Sequence, residues 1–269
     1  MPVALVTGGS AGLGRALVTD LAADGWTVVT DARRGDRLAG LADLADRTDR
    51  TDRTDPADPT NPAAPGRIVA IAGDVTDAGH RVELRRAVAD AGRLDLLVHN
   101  ASTLGPTPLP PLAAVTAEDL QRVWRTNVGA PVALTAELLP LLVAARGVLL
   151  SISSDAAVEH YPGWGAYGSA KAALDHATLT FAAENPAITG YAVDPGDMRT
   201  QMHQDAFPGE DIGDRPLPGT VVPHLRALLA LRPASGRYRA ADVPVNDVPV
   251  NDVAGASGPT EATMAGARP

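Results

Sequence analysis

Tyr167 and Lys171 stand four residues apart on a predicted helix, and this spacing could move a proton. Residues four apart lie on the same helix face, so the two side chains meet. A phenol with a pKa of about 10 is a poor acid or base at neutral pH. A neighbouring cation favours the phenolate and lowers that pKa toward a useful range. The pair therefore suits acid–base chemistry, although the same spacing also arises by chance on a solvated helix face.

A hydroxyl group before the tyrosine would complete such a site. Ser154 follows the predicted fifth strand, at the carboxyl end where ligands bind in parallel sheets. There its hydroxyl could hold a carbonyl oxygen beside Tyr167. On spacing alone, Ser151 and Ser153 could fill the same role.

A glycine-rich turn near the start of the chain could hold a phosphate. The apolar run from Val3 to Val6 leads to glycines at positions 8, 9, 12 and 14, and a helix-compatible stretch follows. Glycines let the backbone approach a ligand closely, and the positive end of the next helix favours a pyrophosphate. The spacing is Gly-x-x-x-Gly-x-Gly. Taken alone, a turn of this kind also occurs in loops that bind nothing.

Strands and helices alternate along the chain that must position these groups. The sequence predicts strands at 3–6, 26–31, 67–72, 94–98, 147–153, 188–193 and 235–240. It predicts helices after the glycine turn and at 37–44, 78–91, 117–142, 164–183 and 220–231, with Pro131 and Pro140 interrupting the fourth of these ranges. This order predicts an α/β, Rossmann-type, doubly wound parallel sheet of about seven strands with helices on both faces. We expect a single domain over residues 1–241.

Two low-complexity segments stand apart from this pattern. Residues 46–66 contain a Thr-Asp-Arg repeat followed by prolines, and we expect a solvated surface insertion there. Residues 242–269 repeat Asp-Val-Pro-Val-Asn and end in a Gly/Ala/Pro-rich stretch, which predicts a flexible tail.

Composition excludes several classes of partner and site. The 269 residues carry a net charge of −9, which disfavours nucleic acid and anionic membranes. The chain has no cysteine, so disulfides, thiolate metal sites and cysteine nucleophiles are excluded. Histidines 80, 160, 176, 203 and 224 are scattered and unpaired, and we expect no metal site. The apolar stretch 132–150 contains charged residues and a proline, so it indicates a core helix and strand. With no room for a leader before the first strand, we expect a soluble cytoplasmic protein.

Taken together, the motifs resemble the classical short-chain dehydrogenases/reductases over roughly residues 3–240. The family's Thr-Gly-x-x-x-Gly-x-Gly appears as Thr7 to Gly14, and its Pro-Gly-x-x-x-Thr appears as Pro195 to Thr200. His99 to Ser102 stands where the family usually has Asn-Asn-Ala-Gly. The remaining matches are Asp74-Val75, which lies against the adenine in the family, and the tetrad Asn127, Ser154, Tyr167 and Lys171.

The resemblance implies an NAD(P)-dependent oxidoreductase that transfers a hydride between a nicotinamide cofactor and a carbonyl/alcohol pair on a small organic substrate. Tyr167 would be the general acid/base, Lys171 would lower its pKa and bind the nicotinamide ribose, and Ser154 would polarise the carbonyl. Asn127 would hold a water of the proton relay. A homodimer or homotetramer is implied, packed through the helices that carry Asn127 and Tyr167. The implied cofactor-binding residues are Gly8, Ser10, Gly12, Leu13, Gly14, Ala32, Arg33, Asp74, Val75, Asn100, Ala101, Ser102, Tyr167, Lys171, Pro195, Gly196, Met198 and Thr200.

Two residues depart from the family pattern. His99 replaces an asparagine, and we expect it to be a packed, hydrogen-bonded core histidine. Ser102 replaces a glycine, so its side chain is expected to crowd the backbone near the cofactor. Neither change removes a catalytic group.

The end of the second strand bears on the choice of cofactor. The family's NAD enzymes place an acid where this chain has Ala32, and Arg33 could clamp a 2′-phosphate, which favours NADP. Asp31 is one residue early and should point to the other face of the strand. Against NADP, Ala11 leaves the glycine turn without a basic residue, and a strand shifted by one would bring Asp31 to the ribose, so NAD stays an alternative.

The alternative function is a nucleotide-sensing or regulatory protein that keeps this fold without turnover. The complete tetrad favours the enzyme. Substrate choice would rest on the loops at 159–164 and 201–212, and the charged, proline-rich segment 201–218 suggests a mobile flap.

Overall fold

The computed structural model describes residues 1–38, 40, 41 and 66–245, and these form one seven-stranded parallel sheet. The strand order is β3-β2-β1-β4-β5-β6-β7. The strands are β1 (Val3–Val6), β2 (Thr27–Ala32), β3 (Arg67–Ala72), β4 (Leu96–His99), β5 (Val148–Ile152), β6 (Thr189–Asp194) and β7 (Gly236–Arg239). The predicted Rossmann-type sheet is thereby confirmed. The predicted insertion at 46–66, except for residue 66, the end of the 37–44 helix and the tail beyond residue 245 lie outside the described residues.

Helices cover both faces of the sheet. They are α1 (Gly12–Ala23), α2 (Ala78–Asp90), α3 (Ala117–Trp124), α4 (Ala130–Ala144), α5 (Gly165–Glu184), α6 (Gln201–Ala206) and α7 (Val222–Leu231). Successive strand residues point to opposite faces, so Val6 joins the core under α1 and α7, whereas Leu5 joins the core under α2 and α4. Burial on both faces explains why the central strands β1, β4 and β5 are mostly apolar rather than alternating, whereas the edge strand β7 is partly exposed and carries two arginines.

The long predicted helix at 117–142 is divided, though not at its prolines. A π-helical segment at Arg125–Gly129 separates α3 from α4. Pro131 is the second residue of α4, directly after the π-helical segment. Pro140 lies inside α4 without ending it, so the expected interruption there is wrong. Pro140 has no N–H to donate to the carbonyl of Ala136. Both residues are exposed, so water can bond that carbonyl instead.

The segment Ala117–Ala144 is long and apolar enough to cross a membrane by length and composition alone. Its leucines at 134, 138 and 142 are fully buried in the core against the sheet. This is the burial pattern of a core helix, as the composition of 132–150 predicted.

A crevice opens where the strand order reverses. β1 lies between β2 and β4, and the chain leaves the carboxyl ends of β1 and β4 toward opposite faces of the sheet. In doubly wound sheets ligands bind at this switch point. The glycine turn follows β1 and residues 99–102 end or follow β4, so both border the crevice.

Candidate active site

The glycine turn forms a cradle that larger residues would fill. Gly12 has a φ of +56°, which L side chains rarely adopt, and a Cβ on Gly14 would lie 2.4 Å from Asn100 Nδ2. Helix α1 begins with no capping side chain and no acid in its first turn. Its first N–H groups and positive dipole end therefore suit an anion.

Residues that follow β4 form hydrogen bonds with this turn. Asn100 Nδ2 donates to the carbonyls of Thr7 and Gly8 at 2.9 and 3.1 Å. The Thr7 hydroxyl oxygen accepts from the backbone N–H groups of Asn100 and Ala101, both at 3.1 Å. The side chain of Asn100 is thus engaged with the turn, and its contact with a cofactor stays a prediction.

Asp31 supports the same turn from the neighbouring strand. Its Oδ1 accepts the N–H of Gly8 at 2.8 Å, and its Oδ2 lies 3.1 Å from Nε2 of His80. Both side chains are almost wholly buried. The expectation that His80 is unpaired is therefore wrong, because a buried carboxylate needs a partner and the fold brings this imidazole to it.

We expect the Asp31–His80 pair to make stability depend on pH. The hydrogen bond to Asp31 raises the pKa of His80 above its ordinary 6.5. Because the folded-state pKa is raised, the stabilisation is fully present below 6.5 and is lost as pH rises through the folded-state pKa. Urea denaturation of wild type should show this fall in the free energy of unfolding, and His80→Asn should flatten it. The control His176→Asn, at an exposed histidine, should leave the fall in the free energy of unfolding unchanged. If the fall persists in His80→Asn, the assignment is contradicted.

The residues near the expected adenine and ribose lie along the carboxyl ends of β2 and β3. Ala32 ends β2, and Arg33 follows it as an exposed side chain. Asp74 Oδ1 accepts from the N–H and the hydroxyl of Thr76 at 2.9 and 2.8 Å, which fixes the turn after β3. Val75 is buried in the core under α2.

The segment after β6 lies against the glycine turn. Gly196 donates its N–H to Asp194 Oδ1 at 3.0 Å, and Thr200 caps α6 by accepting the N–H of His203. A Cβ on Gly12 would lie 3.4 Å from Cγ2 of Thr200. Of the other implied contacts, Pro195 follows β6, Ser10 lies in the turn, and Leu13 and Met198 pack on the core cluster. The fold thus brings two motifs far apart in sequence to the same crevice.

The four residues of the expected tetrad come from three elements. Asn127 lies in the π-helical segment, Ser154 follows β5, and Tyr167 and Lys171 lie on α5. Asn127 is fully buried and holds the backbone of Thr103, accepting its N–H and donating to its carbonyl, both at 2.9 Å. π-bulges are frequent at functional sites, and this one carries a tetrad residue.

The structure distinguishes the three serines that spacing left open. Ser151 bonds Thr178 at 2.6 Å and Ser153 donates to Asp175 Oδ2 at 2.7 Å, and both are buried toward α5. Of the three, only Ser154 affects the pKa of the Tyr167 phenol, which hydrogen bonding with the Ser154 hydroxyl lowers. It also donates to Asp155 Oδ1 at 2.9 Å. The structure therefore favours Ser154.

The environment of Tyr167 raises its pKa rather than lowering it as expected. Burial of the phenol is the largest cause of the raised pKa, and hydrogen bonding with the Ser102 and Ser154 hydroxyls acts in the opposite direction. The Lys171 ammonium lies 5.5 Å from the ring centroid and donates instead to the Ile152 carbonyl at 2.7 Å. Loss of water around the phenol outweighs the partners that favour the phenolate.

Lys171 is itself strongly affected by burial. With 2% of its surface exposed, desolvation lowers the pKa of its ammonium to about 8, and the carboxylate of Asp175 acts in the opposite direction. The Lys171 ammonium therefore loses its proton, and its charge, at a pH close to neutral.

The two departures from the family pattern have separate outcomes. His99 is buried, bonds Thr135 Oγ1 at 2.7 Å, and has its pKa lowered to about 3 by burial. It is the hydrogen-bonded core histidine that we predicted. The Ser102 hydroxyl donates a hydrogen bond to Asn127 Oδ1 at 3.2 Å. Whether it also crowds a cofactor stays a prediction.

Sequence reasoning missed two charged residues near the tetrad. Asp175 continues the four-residue spacing of Tyr167 and Lys171 along α5, and this signal could have identified it. Arg237 lies on β7, where it donates to Asp175 and to the carbonyl of Ser154. No motif marked it, because its partners are distant in sequence.

The fold and this grouping of side chains define a Rossmann-type α/β protein with a serine–tyrosine–lysine site. A model of the short chain dehydrogenase family matches residues 2–211. The chain belongs to the short-chain dehydrogenase family.

Individual relatives agree with this assignment. Serine 3-dehydrogenase of Agrobacterium fabrum is 30% identical over 202 residues, which cover 74% of this chain and 72% of that protein. An uncharacterized oxidoreductase of Saccharomyces cerevisiae is 34% identical over 137 residues, which cover 51% and 53%. The match thus spans about half the length of that relative and of a similar oxidoreductase from Schizosaccharomyces pombe.

Solved structures match over more of the chain. A short chain dehydrogenase from Pseudomonas syringae has a TM-score of 0.77 and 30% identity, over 89% of this chain and 94% of that one. One from Shigella flexneri, in complex with NADP, has a TM-score of 0.76 and 27% identity, over 89% and 97%.

Proposed function

We propose that the chain is an NADP-dependent oxidoreductase that interconverts a carbonyl and an alcohol on a small organic substrate. The observation that carries this proposal is the convergence of Asn127, Ser154, Tyr167 and Lys171 at the carboxyl edge of the sheet, beside the glycine turn. A phenol, a hydroxyl and a buried ammonium grouped in this way can bind a carbonyl oxygen and give it a proton.

The residues present fit a dinucleotide cofactor. A Cβ on Gly8 would lie 3.0 Å from Cα of Ala101, so the turn lies directly against the segment after β4. The uncapped start of α1 would hold the pyrophosphate, and Pro195 to Thr200 would border the nicotinamide. When bound, the nicotinamide supplies the hydride.

The protein's own residues would bind the carbonyl and move the proton. Ser154 would turn its hydroxyl proton from Asp155 Oδ1 to the substrate oxygen and orient it, and Tyr167 would give that oxygen its proton. The raised pKa keeps Tyr167 protonated at neutral pH, which suits a proton donor. Asn127 fixes the segment at Thr103, which follows β4, by two hydrogen bonds to its backbone.

Lys171 is the only lysine in a chain whose lysines and arginines number 23. All the other residues in this count are arginines, so we infer that position 171 requires a property that arginine lacks. Arginine stays charged at all relevant pH values, whereas a buried lysine can titrate. This supports a chemical role for Lys171 and weighs against the alternative of an idle nucleotide sensor.

We expect Arg33→Ala to weaken NADPH binding selectively. An arginine that clamps the 2′-phosphate contributes a charged hydrogen bond, and its loss should raise the Kd for NADPH about 10- to 100-fold. Asp31 is buried and bonded to Gly8, and this supports NADP over the alternative, NAD, for which Asp31 would have to reach the ribose.

Titration of both reduced cofactors by nucleotide fluorescence measures this preference. The Kd for NADH should be unchanged in the variant, and Arg34→Ala, at the adjacent exposed arginine, is the matched control. A wild-type preference for NADH would count against the NADP assignment.

The function is tested by assaying a panel of aldehydes, ketones, diketones and alcohols. Turnover of each compound is measured by the absorbance of the reduced nicotinamide. L-Serine belongs in the panel because one relative is a serine 3-dehydrogenase. We expect turnover with NADPH and a carbonyl compound. Cofactor binding without turnover of any member would favour the sensor instead.

We also propose a cytoplasmic homodimer or homotetramer. Leu120 and Trp124 on α3 are exposed apolar side chains next to the segment that carries Asn127, which supports packing of copies through these helices. Light scattering of the purified protein tests the oligomeric state. The cytoplasmic location rests on composition alone.

A further inference from the structure

The end of β5 is held at three consecutive residues by charged or polar groups. The Ile152 carbonyl accepts from Lys171 Nζ, and the Ser153 hydroxyl donates to Asp175 Oδ2. The Ser154 carbonyl accepts from Arg237 Nη2 at 2.8 Å. The backbone that carries Ser154 is therefore anchored from α5 and from β7 together.

Arg237 joins these anchors through one planar group. Its Nε donates to Asp175 Oδ2 at 3.2 Å, while its Nη2 reaches the Ser154 carbonyl and lies 3.7 Å from Asp194 Oδ2. It thus contacts the catalytic helix, the serine segment and the end of β6. A guanidinium presents its donors in a rigid fork, so these contacts fix the relative positions of the three elements.

We propose that Arg237 is a positioning residue of the active site, holding the Ser154 carbonyl and the Asp175 carboxylate together so that the Ser154 hydroxyl faces the Tyr167 phenol. This inference rests on the proposed function. Asp175 lies two helical turns from Tyr167 on the same face of α5, so fixing Ser154 to Asp175 also fixes it to the tyrosine.

Burial makes the arrangement sensitive to loss of the guanidinium. Asp175 is largely buried and its Oδ1 has no hydrogen-bond partner in the described part of the chain. Without Arg237, its carboxylate would keep the Ser153 hydroxyl but lose its direct ion pair. A buried charge left without its partner is strongly unfavourable, so the segment is expected to rearrange.

The test compares Arg237→Ala, Arg237→Lys and the control Arg239→Ala, an exposed arginine on the same strand. The wild type is assayed first with NADPH and the panel carbonyl that it reduces fastest. We expect kcat to fall about 10- to 100-fold in Arg237→Ala, as for loss of a charged hydrogen bond, with KM for NADPH within about twofold. Guanidinium ions added below denaturing concentration should restore part of kcat, because a quarter of the Arg237 side chain is exposed and the gap is open to solvent.

Arg237→Lys keeps the charge but cannot reach both acceptors, so its kcat should also fall, and Arg239→Ala should match wild type. If Arg237→Ala does not fold, Arg237→Lys alone decides. A wild-type kcat in either folded Arg237 variant would overturn the inference, as would a loss of kcat matched by an equal loss of NADPH affinity without guanidinium rescue. Absence of wild-type turnover would overturn the proposed function and this inference with it.

Discussion

Tyr167→Phe should abolish nearly all turnover while leaving the cofactor affinity in place. A positioned general acid contributes about 10²- to 10⁴-fold to a rate, so we expect kcat to fall by that factor. The substitution removes one oxygen from a buried ring that packs edge-on against Trp164 at 5.6 Å, and the ring itself stays. Steady-state kinetics with NADPH and an active carbonyl compound measure the change in kcat.

The matched measurement is the Kd for NADPH by fluorescence, which should stay within about twofold because we propose that the lost hydroxyl acts on the transition state. Tyr191→Phe is the control, since that tyrosine bonds the Pro233 carbonyl away from the site. Unchanged turnover in Tyr167→Phe would refute the assignment of the general acid. Equal loss in both tyrosine variants would point to stability instead.

We expect Lys171 to titrate close to pH 8. We also expect its charge to contribute a large part of the activity. Burial lowers the pKa of its ammonium to about 8, so its charge is present below that pH and is lost as pH rises through it. We expect kcat/KM for the cofactor to fall along the same limb. Lys171→Met should lower kcat about 10²- to 10³-fold, the usual cost of removing a preorganised charge or donor.

The single lysine allows this pKa to be measured directly. Side-chain labelling with isotopic lysine gives one resonance, and its NMR titration reports Lys171 alone. Tyr167, Asp175 and the neutral His99 are the titratable groups around it, and of these Asp175 raises its pKa. Asp175→Asn should therefore move the titration to lower pH, whereas Lys171→Arg should remove the alkaline limb. A titration near the ordinary 10.5 would contradict the effect of burial.

The raised pKa of Tyr167 shows how far a sequence pattern can determine electrostatics. The spacing of Tyr167 and Lys171 correctly places both on one helix, and from it we expected the lysine to lower the phenol's pKa. The sign of the shift depends on burial and on which atoms meet. Lys171 bonds the Ile152 carbonyl, while the Ser102 and Ser154 hydroxyls face the phenol. None of these distances is encoded in a local spacing.

The fold was predictable because its signals are local. Short apolar runs, glycine turns and intervening helices each appear within a short window, and together they predicted the first six strands that the structure contains; the seventh, rich in arginine, was predicted from its place after the last helix. The error at Pro140 has a local cause as well. A proline inside a helix leaves one carbonyl without its N–H partner, which is tolerated more easily where water can bond that carbonyl, and the exposure of Pro140 depends on how α4 packs.

The sequence by itself determined the glycine turn, the tyrosine–lysine pair and the class of sheet, because each depends on residues close together in the chain. Only the tertiary structure gave Ser151 and Ser153 partners on α5, which favours Ser154, paired Asp31 with His80, and brought Arg237 to the serine segment. Those choices depend on contacts between residues up to 83 positions apart, as for Arg237 and Ser154. A hydrogen bond is directional over about 3 Å, so only the packed arrangement of the strands and helices selects its partners.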